Sequence, residues 1–251
     1  MSQHYLDAVV HASRKVVPQA GMLEQALPFT IRVVRDDADL MKAVQIRQAA
    51  YGRHLPEFAQ TLSLPEALDL RPGVAVLLAE SKLDGAPLGT MRIQTNRFQP
   101  LALEQSLSLP PELTARPLAE ATRLGVTGDR VGRMVKTLLF KAFFEYCRQE
   151  GVEYMVIAGR SPIDRQYDRL LFSDVYPGMG AIALRHAGNI PHRVMSFEVA
   201  SAEQRWRDAA HPLYDLVFRT NHADIDLGPV HAPYFAYHEQ QSSMRSHKLA
   251  A

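Results

Sequence analysis

From residue 30 onward, hydrophobic positions switch between a two-residue and a helical period. Thr30-Ile31-Arg32-Val33-Val34 reads as a first strand, and Asp36 or Asp37 can cap the helix that follows. Along that helix Leu40, Val44, Arg47 and Tyr51 recur on one face, which puts an arginine inside an apolar stripe. A buried guanidinium without a partner costs several kcal/mol. Either a carboxylate of Asp69, Glu66 or Glu120 therefore lies opposite Arg47, or its head snorkels to the surface along its alkyl stem.

Residues 55–73, with leucines among prolines and acids, read as a loop holding one short helical turn. Val74 to Glu80 and Leu88 to Gln94 flank Leu83-Asp84-Gly85-Ala86-Pro87 and predict a hairpin, with Thr90, Arg92 and Gln94 on one face of its second strand. After a proline-rich stretch from Pro100 to Pro117 comes Ala119-Glu120-Ala121-Thr122-Arg123-Leu124-Gly125-Val126, a β-type run dense in polar groups. Strand alternation puts Glu120 and Thr122 on one face and Arg123 on the other. A long helix is predicted from Arg130 to Gln149, its stripe at Met134, Val135, Leu138, Leu139, Ala142, Phe143 and Tyr146, with Gly151 as its stop. Tyr154 to Ala158 forms the next strand and Asp164 to Leu171 a short helix. Ala181 to Leu184 and Val194 to Val199 form a last antiparallel pair. The order is that of a mixed α/β domain with one parallel crossover through the long helix.

Composition narrows the classes. At 251 residues and 47% hydrophobic content the chain can bury a full core, and a net charge of +1 gives no general case for nucleic acid. The longest apolar run, Val74 to Ala79, is strand length, so no transmembrane segment is expected, while peripheral membrane contact stays open. Residues 1–27 carry no apolar core of a secretory signal, and the expected location is the cytoplasm. Cys147, the single cysteine, falls on the apolar stripe of the long helix and reads as a buried thiol. The histidines show no zinc spacing, so no metal is expected.

The element order, the strand–turn–helix from Glu120 to Leu139, and Gln166-Tyr167-Asp168-Arg169-Leu170-Leu171-Phe172 together resemble the GNAT acyltransferase fold over residues 30–200. The tyrosine segment is similar to that fold's Y-x-x-x-G-F signature, with Leu171 where glycine is usual. Ile46-Arg47-Gln48-Ala49-Ala50-Tyr51, Leu88-Gly89-Thr90-Met91-Arg92 and Glu120-Ala121-Thr122-Arg123 resemble the autoinducer-synthase-like branch. With Ser161-Pro162 and Asn189-Ile190-Pro191, the pattern is nearest that of FeeM-type N-acyl amino acid synthases. The resemblance implies a GNAT domain at 28–200, a mostly antiparallel mixed sheet with helices on both faces, an N-terminal extension at 1–27 and a C-terminal extension and tail at 201–251. From about His222 the tail shows no sustained periodicity and reads as loosely ordered or docked as a strap.

The implied activity is transfer of a fatty acyl chain from acyl carrier protein to the amine of an amino acid, with no bound cofactor. Coenzyme A-dependent GNAT enzymes resemble [QR]-x-x-G-x-[GA] at the turn into the long helix, where small residues let backbone N–H groups approach the pyrophosphate. Here the run is Arg130-Val131-Gly132-Arg133-Met134-Val135, bulky at both small positions. Acyl-phosphopantetheine on the carrier is therefore favoured over acyl-CoA as donor, with Arg130, Arg133, Lys136 and Lys141 as docking cations; a plain solvated helix face is the competing reading. Glu120 is the candidate general base and Tyr167 the candidate acid for the leaving thiolate, or else a packed aromatic. Arg47, Glu66, Asp69, Arg92, Thr122 and Arg123 are candidates to grip the amino acid, or else form a purely structural clamp. The competing activities are an acyl-homoserine-lactone synthase, an ornithine-lipid acyltransferase and a non-catalytic acyl-binding protein. Against the lactone synthase stands the absence of a tryptophan after Tyr51, since Trp206 is the only one in the chain.

Overall fold

The computed structural model describes residues 22–228. Most of the expected N-terminal extension and the tail beyond residue 228 lie outside the described residues. The elements run β1 (Leu23–Glu24), β2 (Phe29–Val33), α1 (Asp37–Gly52), α2 (Pro56–Gln60), β3 (Val74–Ser81), β4 (Pro87–Thr95), α3 (Pro111–Thr114), β5 (Leu118–Val126) and α4 (Arg130–Glu150). They continue with β6 (Tyr154–Gly159), α5 (Asp164–Arg169), β7 (Ser173–Asp174), β8 (Ile182–Leu184), β9 (Ile190–Glu198), α6 (Ala202–Asp208), β10 (Thr220–Asn221) and β11 (Ile225–Asp226).

The main sheet has the order β11-β2-β3-β4-β5-β6-β9-β7, with β8 on the other end of β9. Among the described residues only β5–β6 and β11–β2 pair in parallel within it. The sheet is thus mixed and mostly antiparallel, with α1 on one face and α4 on the other. Alternation accounts for the two faces. Met91, Ile93, Ala119, Met155 and Ile157 join Val135, Leu138, Leu139 and Phe143 of α4 in the main core, while Val76 and Leu78 pack against Leu40 and Ala43 of α1.

Glycines set how closely the helices approach. A Cβ on Gly89 would stand 2.5 Å from Val135 Cγ1, and one on Gly125 would stand 3.0 Å from Ala50 Cβ and 3.3 Å from Arg47 Cα. Gly125 therefore lets α1 settle on β5 with Arg47 pressed to the sheet.

Four expectations are corrected. Met134 is 38% exposed and lies off the buried stripe of α4, whereas Phe144 belongs to it, as does Cys147, which is buried as expected. Arg123 does not point away from Glu120 and Thr122. Thr90 pairs with Gly125 and Arg92 with Thr122, so two residues of β5 oppose the single Met91 and a β-bulge forms there. Arg123 takes up the extra length at φ 55° and turns to the α1 side. β8 pairs with the start of β9 at Ile190–His192, and the segment from Val194 instead bridges β6 and β7. Finally, Lys141 is buried rather than displayed, for reasons given below. The segment 202–228 returns over α4 and ends as β11 on the edge of β2.

Candidate active site

The pairing of β5 with β6 ends at Ala121–Ile157, although both strands continue. They part there, and polar side chains gather on the α1 side of the opening. Arg47 is fully buried on α1; its Nη1 and Nη2 reach Asp69 Oδ2 and Oδ1 at 2.8 and 3.0 Å, and Nη1 reaches Glu66 Oε2 at 3.3 Å. Arg92 on β4 places Nη1 3.0 Å from Glu66 Oε2 and 3.3 Å from Asp69 Oδ1, while its Nε donates to Thr122 Oγ1 at 3.0 Å. Arg123 donates from Nε and Nη2 to the two oxygens of Glu66 at 2.6 Å each, and its guanidinium lies 5.3 Å from the Phe58 ring centre. The short 3-10 turn Ala67–Leu70 presents both acids, and Asp69 Oδ2 also accepts the Glu66 amide at 2.8 Å.

All six candidate binding residues therefore form one connected network. Burial alone would raise the carboxyl pKa values of Glu66 and Asp69. The hydrogen bonds and charges of Arg123, Arg92 and Arg47 at Glu66, and of Arg47 and Arg92 at Asp69, outweigh it and hold both below the usual carboxylate range. Three guanidiniums face two carboxylates, which leaves one surplus positive charge. Glu66 is the most open of the five charged groups, its side chain 24% exposed.

Glu120 sits beside this network with no exposed surface. Its Oε2 accepts the Leu103 amide at 3.1 Å, and Oε1 lies 3.3 Å from Nε2 of His186. Burial pushes its pKa up to about 7, against the opposing pull of the Leu103 and Ala102 amides and the Arg92 and Arg123 charges. His186 follows β8 in the turn Arg185–Ala187, and its carbonyl accepts Arg123 Nη2 at 2.7 Å. No local pattern in the sequence marks His186 or Phe58, since their partners are distant along the chain.

Tyr167 stands on the opposite side of the opening. Gly159 on β6 makes room for it, because a Cβ there would lie 2.8 Å from its ring. Burial, and then proximity to Tyr51, pushes the phenol pKa well up, so the hydroxyl remains protonated. Its ring packs against Phe140 and Phe172, with centroids 5.6 and 6.1 Å away. Those two residues, with Phe144, Met155, Phe197 and Trp206, line an apolar cavity of about 500 Å³ between α4, α5 and the C-terminal segment. Phe140 packs on Tyr167 beside the cavity, and Tyr51 packs on Phe58 at 5.7 Å beneath Arg123 at the ionic network, with Tyr51 near enough to raise the Tyr167 phenol pKa.

The candidate docking cations divide. Arg130 and Arg133 are exposed on the first turn of α4. Lys136 is partly buried at the cavity wall and donates to Gln166 Oε1 at 2.6 Å. Lys141 is 1% exposed; its ammonium bonds the carbonyls of Leu216 and Thr220 and Nδ1 of His222, so it pins the C-terminal segment and is not available to dock a partner. At the start of α4, Asp129 Oδ1 accepts the Gly132 amide at 2.8 Å and Thr127 Oγ1 at 2.8 Å, which places a carboxylate where a pyrophosphate would approach. Cys147 is buried and its thiol pKa is raised by burial and then by Glu150. Among the described residues no His, Cys, Asp or Glu cluster suits a metal ion, and no helix is long and apolar enough to cross a membrane.

No protein-family model matches the sequence, and no curated protein aligns with it significantly. Solved structures do share its fold. FeeM, an N-acyl amino acid synthase from uncultured soil microbes, superposes with a TM-score of 0.54 at 18% identity, covering 70% of this chain and 93% of its own. BjaI, a CoA-dependent acyl-homoserine lactone synthase whose structure holds SAM and isopentyl-CoA, gives a TM-score of 0.52 at 12% identity over 77% and 93% of the two chains. The architecture is thus the GNAT fold, similar in its arrangement to an N-acyl amino acid synthase and an autoinducer synthase.

Proposed function

We propose that this chain is an N-acyltransferase that moves a fatty acyl group from acyl carrier protein to the amine of an amino acid. The observation that supports the reading is an arginine-rich network on the α1 side of the sheet, where β5 and β6 part, together with an apolar cavity between α4, α5 and the C-terminal segment, with Tyr167 packed on the cavity-lining Phe140. One side suits an amino acid, because Glu66, its most open charged group, offers a carboxylate to the acceptor's ammonium, and the Arg123 guanidinium beside it offers a counter-charge to the acceptor's carboxylate. The other suits an alkyl chain.

The amine, once deprotonated, attacks the thioester carbonyl, and the tetrahedral intermediate collapses to amide and thiolate. Tyr167, held protonated, is the group that supplies a proton to the thiolate. Arg130 and Arg133 are exposed on the first turn of α4. The exposed pair offers an acidic carrier a docking charge, and the Asp129 cap argues against coenzyme A, whose pyrophosphate would meet a carboxylate.

The full chain should be incubated with acyl carrier protein and with coenzyme A loaded with acyl groups of graded length, together with all amino acids and S-adenosylmethionine. An N-acyl amino acid formed faster from the carrier supports the reading. A homoserine lactone product would move the chain to autoinducer synthesis, and no product from any donor would sink the enzyme reading.

A further inference from the structure

The charge around the apolar cavity between α4, α5 and the C-terminal segment has one sign. Among the described residues its wall holds Lys136, Lys141 and Arg169 and no aspartate or glutamate. Lys141 is taken up by the Leu216 and Thr220 carbonyls and by His222. Lys136 is not. An ammonium offers three donors, and the contact that Lys136 makes with one of them is to the neutral Gln166 Oε1 at 2.6 Å. The charge acting on it is the like charge of Arg133, with no carboxylate to offset it. Burial, and then Arg133, draw its pKa down, and an anion beside it would oppose both.

The cavity also has a polar end and an apolar end. Lys136, Phe140 and Phe144 recur every four residues on one face of α4, so the wall follows the helix for about 12 Å from the ammonium to the second phenylalanine. Gln166, which holds Lys136, shares a face of α5 with Arg169. Arg169 is exposed and Lys136 partly so, whereas Phe144 and Trp206 are buried. The cations thus mark the wetter end and the rings the drier one.

We propose that this cavity is a binding site for a free fatty acid, its chain among Phe140, Phe144, Phe218 and Trp206 and its carboxylate on Lys136, with Arg169 adding charge at that end. The acyl thioester of the proposed reaction is uncharged, so it gives the ammonium no partner; a carboxylate does, through a charge-assisted hydrogen bond. At about 500 Å³ the cavity lies within the ordinary range for small-molecule sites. Binding requires no transfer chemistry. Only its consequence, competition between fatty acid and acyl donor, rests on the acyl-transfer reading.

Trp206 is the only tryptophan in the chain and lines the cavity, so its emission reports an occupant. The full chain should be titrated with dodecanoate and with dodecanol, at concentrations where neither aggregates. Dodecanoate should change the emission saturably, bind at least about tenfold more tightly than dodecanol, and raise the melting temperature. Lys136→Met keeps the apolar stem; it should bring dodecanoate down to the affinity of dodecanol and leave dodecanol unchanged. Equal affinity for the two, or a preference that survives Lys136→Met, is what an ammonium merely snorkelling into water would give, and overturns the proposal. So does dodecanoate that alters neither emission nor melting temperature. In the acyl-transfer assay dodecanoate should raise KM for the acyl donor with kcat unchanged. A chain that forms no amide ends the acyl-transfer reading while the titration still decides the site; dodecanoate bound without raising KM keeps the site and puts the donor's chain elsewhere.

Discussion

Arg123 holds a left-handed backbone conformation, φ 55°, and from it sets Nε and Nη2 each 2.6 Å from an oxygen of Glu66. A bulky residue at positive φ costs about 1 kcal/mol or more. The strain persists because the bulge that causes it turns the guanidinium onto the α1 side, where a charge-assisted bidentate pair more than offsets it. Arg123→Lys keeps the charge but cannot span both oxygens. It should lower stability by about 2 kcal/mol, read from urea midpoints. Arg123→Gly relieves the backbone yet loses the pair; a variant more stable than the unmodified chain by the whole of that strain, about 1 kcal/mol, would show that the clamp contributes nothing.

Asp69 has a fully buried side chain between Arg47 and Arg92. Asp69→Asn leaves those guanidiniums short of a counter-charge and should cost about 3–5 kcal/mol. The pH dependence has a definite sign. Folded-state pKa values of Asp69 and Glu66 are depressed, so their stabilisation is complete above the unfolded values near pH 4 and is lost as pH falls toward the lower folded values. Urea midpoints of the unmodified chain should drop below about pH 4, and those of Asp69→Asn should drop less.

Glu120 behaves in the opposite way. Its folded pKa, near 7, lies above the unfolded value, so the folded state holds the proton more tightly and stability falls as pH rises from about 4 to 7. Glu120→Gln, which cannot ionise, should raise the melting temperature at pH 8 relative to the unmodified chain, by an amount corresponding to about 3 kcal/mol at most. It should bring little gain at pH 5. A loss of stability at both pH values would contradict the raised pKa.

The hairpin of β3 and β4 was legible because alternation and the Asp84-Gly85 turn point the same way, and α4 because its stripe runs unbroken from Val135 to Cys147. One charged residue on an apolar face called for a carboxylate opposite Arg47 but left Asp69, Glu66 and Glu120 open beside a snorkelling head; the structure seats it on Asp69 and Glu66. A bulge has no such signature. Period-two reading sends Arg123 to the wrong face because one inserted residue reverses every later position. Lys141 misled for another reason: a lysine on an amphipathic helix reads as solvated unless the carbonyls that bind it are known, and those belong to the segment after Tyr214. His186 stands in a short polar turn, and only tertiary structure brings it to Glu120.

Lys141 offers a separate test of that C-terminal segment. Its ammonium satisfies the Leu216 and Thr220 carbonyls and His222, and through them holds the chain that continues into β11. Lys141→Met preserves side-chain length but strands those acceptors, at about 1–3 kcal/mol for each left unpaired. Hydrogen exchange at the amides of residues 216–226 should accelerate, with the strands β3 to β5 unaffected. Unchanged exchange there would mean that apolar packing alone seats the segment.

The same segment should decide which acyl chains are accepted. Leu213, Val217 and Phe218 close the cavity opposite Phe140 and Phe144 of α4, and Val217 lies in the helical turn Asp215–Arg219, its N–H donating to the Leu213 carbonyl at 3.0 Å. A larger side chain at 217 removes cavity volume without touching the ionic network or Tyr167. Under the proposed function, Val217→Phe should shift preference toward shorter donors, because each methylene a pocket can no longer hold costs about 1–3 kcal/mol of discrimination. Competing acyl carrier proteins of two chain lengths in one reaction would report the ratio directly. A ratio unchanged by Val217→Phe would place the acyl chain elsewhere, since a cavity occupied by that chain cannot lose volume at its wall and keep the same preference.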